Sequence, residues 1–202
     1  MSADIEEAVE LLRRAELAEP GSIARTLLTV AAFDAAAAND LILVGGAAVN
    51  IHTGSYRPTD IDVVGWLSAD DAPALNALGF KKRGRHWLHT FADGETLAVE
   101  VAASGLFDMA TDPPVVYDLE PGHVAVISLN DLVMDRLLQA TEGEPMTFDE
   151  AVRLAIAAYE SIDWDMLAVR TAAAAENGTS AKAELPEVLG RVRRAARRAI
   201  RN

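Results

Sequence analysis

The chain has 202 residues, half of them hydrophobic, which is enough to bury a core and suggests one domain or a domain with a small appendage. Its formal net charge of −13 argues against a protein that coats nucleic acid non-specifically, because phosphate neutralisation dominates that kind of affinity. The absence of cysteine excludes a disulfide framework and a thiolate zinc site, so any metal must be held by oxygen or imidazole. The sequence has no run of about 18 apolar residues and no signal-peptide layout at its N-terminus, so we expect a cytoplasmic protein without membrane contact.

The first forty residues predict two helices. Apolar residues recur at helical spacing over residues 5–17, and Pro20-Gly21 ends that pattern. Ser22 suits the N-cap of a second, alanine-rich helix over residues 23–38. These helices lead directly into the most informative stretch of the chain.

Residues 41–64 carry the motifs that bear on function. An apolar strand at 41–44 breaks at Gly45-Gly46 and passes into a short helix, which predicts a strand, a tight turn and a helix. A polar connector then leads to a second strand at 60–64, which is apolar except for two aspartates placed two residues apart. In a strand that spacing puts Asp60 and Asp62 on one face.

Two carboxylates on one face need a compensating charge, because burying them unpaired is costly. Mg²⁺ supplies that charge, since it usually takes one or two protein carboxylates and fills its other positions with water and substrate phosphates. The Gly45-Gly46 turn at a helix N-terminus offers backbone N–H groups and the positive end of a helix dipole to a phosphate. Each motif alone is more often a simple turn or a solvated pair, but their order and apolar context favour a nucleotide site.

The next segment predicts a helix at residues 72–78 and then a hairpin. Its first strand lies around residues 86–91, residues 92–95 form the turn, and residues 96–102 form the returning strand. Glu100 stands inside that otherwise apolar strand. It is either a functional carboxylate or a glutamate of an edge strand that faces water.

The glycine pair, the Arg57-x-Thr59 segment, the two aspartates and the later strand glutamate occur in an order that is typical of a known family. In these motifs the chain resembles the nucleotidyltransferase superfamily related to DNA polymerase β. Within it, the chain most resembles the small prokaryotic branch that includes AbiEii-type toxins and uncharacterised relatives. The resemblance covers residues 41–101 by motif and the helical remainder more loosely. It implies an α/β (α+β) fold, with a small mixed sheet flanked by helices and a helical C-terminal region.

The resemblance also implies roles for the acidic residues. Asp60 and Asp62 bind Mg²⁺, with Mn²⁺ as a substitute, and Glu100 completes a three-carboxylate site able to hold two ions. Members of the superfamily more often have aspartate at the position of Glu100, so the longer side chain changes the geometry of the metal site.

The nucleotide is expected to contact two further groups of residues. By resemblance, Gly45 and Gly46 seat the triphosphate through their backbone. Arg57 and Thr59 precede the aspartates closely enough to meet the nucleotide or to order the loop, and both interpretations stay open.

Two basic clusters interrupt the acidic composition. Lys81-Lys82-Arg83 and Arg85 follow the aspartate strand by one helix, so Lys82 and Arg83 are predicted to lie at the rim of the site and to attract the nucleotide. Six arginines crowd the last twelve residues, opposed by no acidic side chain, and permit contact with an anionic partner. A solvated face is the alternative for both clusters.

The second half of the chain is predicted to be mainly helical. A loop-like segment with a last strand at 124–127 precedes helices at 129–140, 148–159, 164–175 and 184–201, with a linker at 177–180. We therefore expect a catalytic domain at 1–127, with its core at about 22–127, and a helical region at 128–202.

Together these features predict transfer of a nucleoside monophosphate from a nucleoside triphosphate, such as ATP, to an acceptor. The acceptor is open among an RNA end, a protein hydroxyl and a small molecule. If the chain is the toxin of a toxin–antitoxin pair, an antitoxin is a further partner. The alternative is a catalytically inactive nucleotidyltransferase-fold module that binds or regulates.

Overall fold

The computed structural model describes residues 4–37, 39–55, 58, 60–106, 112–141, 145–177 and 180–201. The described residues up to 106 and those of 113–127 form one compact unit, and residue 112 with residues 128–201 forms a second. None of the described helices has both the length and the apolar character that a membrane span requires.

The first unit is built on a mixed sheet. Its described strands are β1 (Ile42–Leu43), β2 (Ile61–Val64), β3 (Lys81–Arg83), β4 (His86–Thr90), β5 (Thr96–Ala103), β6 (Val115–Asp118) and β7 (His123–Val126). They form a seven-stranded sheet in the order β3-β4-β5-β2-β1-β7-β6. The pairs β2/β5 and β1/β7 are parallel, and the other neighbours are antiparallel. The predicted mixed sheet flanked by helices is therefore confirmed.

The register between β2 and the edge strand β3 sets four polar residues in one row across four strands. Asp62 of β2 pairs with Glu100 of β5, and Glu100 pairs with His86 of β4. His86 in turn pairs with Arg83 of β3. Because laterally paired residues point to the same face of a sheet, these four side chains share one face, which we call the polar row.

The opposite face of the same strands belongs to the core. The helices of this unit are α1 (Ile5–Leu17), α2 (Ile23–Ala37), α3 (Gly45–Thr53) and α4 (Ala72–Ala77). Ile61, Val99 and Trp87, which alternate with the polar row, are almost completely buried. The ring centroid of Phe33 in α2 lies 5.2 Å from that of Phe80 and 6.3 Å from that of Trp87. The hydrophobic core thus holds the strands from the side away from the polar row.

A buried arginine ties α2 to the turn between β4 and β5. Arg25 is 2% exposed and donates to Asp93 Oδ2 at 2.6 Å and to Glu95 Oε2 at 2.7 Å. Its Nε also donates to the carbonyl oxygen of Ala15 near the end of α1. The two carboxylates compensate a charge that would be costly to bury alone.

Asp34 connects the last turn of α2 to the start of the sheet. Its carboxylate accepts a hydrogen bond from the backbone N–H of Leu41 at 3.0 Å. Burial raises the pKa of Asp34 from 3.8 to about 6, against the opposing effect of that hydrogen bond. Asp34 is therefore a carboxylate that loses solvation when the chain folds.

The second unit is helical. It contains α5 (Leu129–Thr141), α6 (Pro145–Ala157), α7 (Trp164–Asn177), α8 (Ser180–Ala183) and α9 (Leu185–Arg201). Asp131 is fully buried in the first turn of α5, where its Oδ2 accepts from the N–H of Asp112 at 2.8 Å and the hydroxyl of Ser128 at 3.0 Å. The other oxygen of Asp131 pairs with Arg170 of α7. This network fixes α5 against α7 within the unit.

The predicted elements form with bounds shifted by a few residues, and three segments differ in type. Residues 81–83, predicted only as a basic cluster, form the edge strand β3, where lysine and arginine are tolerated because they reach into water. Residues 115–118, predicted as loop-like, form β6 because they pair with β7. Part of the predicted linker is the short helix α8, and α6 begins at Pro145, earlier than the predicted start at 148.

Candidate active site

The turn between β1 and α3 lies directly against the carboxylate of Asp62. The N–H of Val44 donates to the carbonyl oxygen of Asp62 at 2.9 Å, which holds the turn beside β2. Gly45 has a φ of +63°, in the left-handed region that favours glycine. A Cβ atom built on Gly45 would lie 2.3 Å from Asp62 Oδ2. Glycine is thus required both by the backbone conformation and by the approach of the carboxylate.

The start of α3 is suited to an anion. Gly45 and Gly46 are its first two residues, and Val44 at the N-cap has no side-chain oxygen to accept from the N–H groups of the first turn. These N–H groups carry the positive end of the helix dipole. A phosphate at this position would meet the helix start and the Asp62 strand together.

The three predicted carboxylates do not form one cluster. Asp60 directly precedes β2 and Asp62 is its second residue, and both are half-buried. Glu100 lies beside Asp62 in the register, but its Oε2 contacts Arg85 Nε at 3.0 Å and His86 Nε2 at 3.3 Å. Within the described part of the chain, no group of three histidine, aspartate or glutamate side chains is arranged to hold a metal ion. Glu100 thus faces the Arg85 guanidinium in this structure, and its place in a three-carboxylate metal site stays a prediction.

The aspartate pair by itself suits a hard cation. Asp60 and Asp62 offer only oxygen ligands, and Mg²⁺ commonly binds one or two protein carboxylates. The space left by the missing Cβ of Gly45 is filled by the Asp62 carboxylate, so this carboxylate sits at the helix start where phosphates are expected. Asp60 and Asp62 thus fit Mg²⁺ as a pair, and Glu100 does not join them in this structure.

The register places Lys82 and Arg83, the basic residues predicted at the rim, on opposite faces of the sheet. Arg83 belongs to the polar row, three strands from Asp62, or about 14 Å at the usual strand spacing. Lys82 points to the opposite face, where its Nζ lies 5.4 Å from the ring centroid of Trp87. The predicted position of Lys82 at the rim is therefore wrong. Arg57 and Thr59 lie outside the described residues.

His86 was not among the predicted site residues. It stands between Glu100 and Arg83 in the polar row and contacts the carboxylate of Glu100. The position of His86 beside Glu100 depends on the register of the β4/β5 hairpin. The turn of the hairpin sets that register, and no sequence motif indicates it.

No protein family and no curated protein matches the sequence of the chain. Among solved structures, the chain is similar to an antigenic nucleotidyltransferase-like protein from Paracoccidioides brasiliensis. The TM-score is 0.57 at 14% sequence identity, covering 95% of this chain and 92% of that chain.

The chain also aligns with the antibiotic-resistance factor ANT(2'')-Ia. Its solution structure gives a TM-score of 0.35 at 18% identity, covering 98% of this chain and 97% of that chain. Its crystal structure in complex with adenylyl-2''-tobramycin gives 0.33 at 19% identity, covering 83% and 94%. The first similarity shows a nucleotidyltransferase-like fold, as the sequence predicted.

Proposed function

We propose that the chain transfers a nucleoside monophosphate from a nucleoside triphosphate to an acceptor and releases pyrophosphate. The observation that carries this proposal is the contact between Gly45 and Asp62. It joins a helix start suited to phosphate to the start of β2, where Asp60 and Asp62 lie. Such an arrangement serves a reaction in which a metal ion and phosphate oxygens meet.

The chemistry makes one bond and breaks one. An acceptor oxygen attacks the α-phosphorus, and the bond from that phosphorus to the oxygen bridging to the β-phosphate breaks. Pyrophosphate leaves with the electron pair of that bond. A hydroxyl acceptor gives up its proton in the same reaction, and we assign Glu100, beside Asp62, as the group that accepts it. Arg85 and His86 orient the Glu100 carboxylate.

The substrate is held by the start of α3 and by the aspartates. The N–H groups of Gly45 and Gly46 donate to phosphate oxygens. Asp60 and Asp62 hold Mg²⁺, which when bound neutralises charge on the triphosphate. Arg57 and Thr59, which lie outside the described residues, are proposed to contact the nucleotide.

The test is transfer of an α-phosphate label to separate pools of RNA, protein and small molecules. The wild type should label one pool in a Mg²⁺-dependent way, and Asp62→Asn should lose the label while its melting temperature stays close to that of the wild type. Asp70→Asn, which removes an equal charge from an exposed position, should label normally. Equal labelling by Asp62→Asn would refute the mechanism.

The orientation of Glu100 towards Arg85 favours one alternative, a module that binds nucleotide without turnover. Calorimetry with Mg²⁺ and each nucleoside triphosphate separates the two functions. Binding that is lost in Asp62→Asn, with no label transferred to any pool, would support the module. The finer proposal of an AbiEii-type toxin predicts that expression arrests growth with the wild type and not with Asp62→Asn.

A further inference from the structure

A pocket of about 410 Å³ lies in the first unit, where the parallel strands β2 and β5 end. Its walls include Trp66, which follows β2, and Ser104, which follows β5. The β3/β4 hairpin adds Lys82, Arg85 and Trp87. The pocket therefore combines two indole rings with two cationic side chains.

Trp66 gives this pocket an exposed aromatic wall. The residue is 68% exposed, although tryptophan gains more from burial than most side chains. Trp87, by contrast, is 3% exposed and forms part of the core. The exposed face of Trp66 is thus available for stacking on a planar ligand.

The lining of the pocket is positive in an acidic protein. Among the described residues that line it, Lys82 and Arg85 are charged and none is an aspartate or a glutamate. The chain as a whole carries a formal charge of −13, so this pocket reverses the prevailing sign. Local positive charge concentrates anionic ligands that the summed field would otherwise repel.

Arg85 also links the pocket to the polar row. Its side chain is 72% exposed, and its Nε contacts Glu100, which is the register partner of Asp62. Arg85 therefore contacts both this pocket, which Lys82 and Trp87 line from the core side of the strands, and the carboxylate assigned to the acceptor on the other side.

We propose that this pocket binds the terminal nucleotide of a single-stranded nucleic acid, with the base stacked on Trp66 and the phosphate paired with Lys82 and Arg85. Base and phosphate together match an aromatic wall beside two cations, whereas an acidic peptide would leave the indole without a planar partner. Binding of this nucleotide does not depend on the proposed function. Only the inference that the bound nucleotide is the acceptor of the transfer rests on it.

Fluorescence anisotropy of labelled ribo-oligonucleotides, without Mg²⁺ or triphosphate, tests the pocket directly. Trp66→Ala should weaken binding about tenfold or more, and Trp66→Phe should restore most of the affinity. Lys82→Ala should weaken binding and lower the slope of log K against log salt by about one. Lys81→Ala is the matched control, because Lys81 neighbours Lys82 on β3, points to the other face and does not line the pocket.

The length of the probe distinguishes a strand end from a free mononucleotide. If the affinity rises as the probe lengthens from one to three nucleotides, the pocket binds a strand end. If binding depends on Trp66 but the affinity does not rise with probe length, the pocket binds a free mononucleotide instead. Equal effects of Lys81→Ala and Lys82→Ala, or unchanged binding by Trp66→Ala, would overturn the inference.

Two comparisons separate this inference from the proposed function. Oligonucleotide binding that persists in a protein with no transferase activity would refute the transfer and leave the pocket. Transfer to a protein or a small molecule, with no oligonucleotide binding, would refute the pocket and leave the transfer. Asp62→Asn should bind the oligonucleotide as the wild type does, because Asp62 does not line the pocket.

Discussion

Replacing Gly45 by alanine should disable the site by displacing one carboxylate. Alanine in the left-handed region costs about 1–2 kcal/mol. The added Cβ would also lie 2.3 Å from Asp62 Oδ2, so the Asp62 side chain or the backbone must move, which costs about 1–3 kcal/mol more. We therefore expect Gly45→Ala to lower the free energy of unfolding by about 3 kcal/mol and to abolish Mg²⁺-dependent nucleotide binding.

Gly54 at the other end of α3 supplies a control with the same strain and no contact. Its φ is also +63°, and a Cβ there meets no atom of the described residues within 4 Å. Gly54→Ala should lose only the conformational part, about 1–2 kcal/mol, and keep normal nucleotide binding. Urea unfolding gives the two losses of stability, and calorimetry with Mg²⁺ and triphosphate gives the two affinities. Equal losses of stability, or normal nucleotide binding by Gly45→Ala, would refute the reasoning about Asp62.

Three further variants test the charges that the fold buries. Because burial raises the pKa of Asp34 to about 6 from 3.8, its contribution to stability is lost as the pH rises from about 4 to about 6. Asp34→Asn should thus gain up to about 3 kcal/mol at pH 7 and nothing at pH 4 in urea unfolding, and a gain independent of pH would contradict this. Arg25→Met should cost about 2 kcal/mol and lower the melting temperature, whereas Arg13→Met, on the exposed side of α1, should leave it nearly unchanged. Asp131→Asn should destabilise the second unit, and a double-mutant cycle with Arg170→Met should show strong coupling; additive losses would mean that the pair is not coupled.

Most of the helices and strands could be predicted because their sequence signals are local. The break at Gly45-Gly46 and the two aspartates in an apolar strand each follow from composition over a few residues. The mixed sheet itself was implied by the resemblance of these motifs, in their order, to a known superfamily. The helix bounds were predicted well for the same reason, since caps and apolar periodicity lie within the helix itself.

The arrangement around Glu100 could not be predicted because it depends on register. The contacts with Arg85 and His86 arise only when the β4/β5 hairpin brings residues 86 and 100 together. The same register sends Lys82 and Arg83 to opposite faces, although they are neighbours in a basic cluster. A shift of one residue in the pairing of β3 with β4 would exchange the faces of Lys82 and Arg83. In a strand of charged residues, no local sequence pattern selects one register over the other.

The basic edge strand has a consequence for the behaviour of the protein at high concentration. An edge strand exposes backbone hydrogen-bonding groups that can pair with a strand of another molecule. At Lys81, Lys82 and Arg83, all exposed, antiparallel pairing of two copies would bring ammonium and guanidinium groups into register with one another. The repulsion opposes growth of the sheet from this side, so the charges of β3 disfavour edge-to-edge association of two molecules.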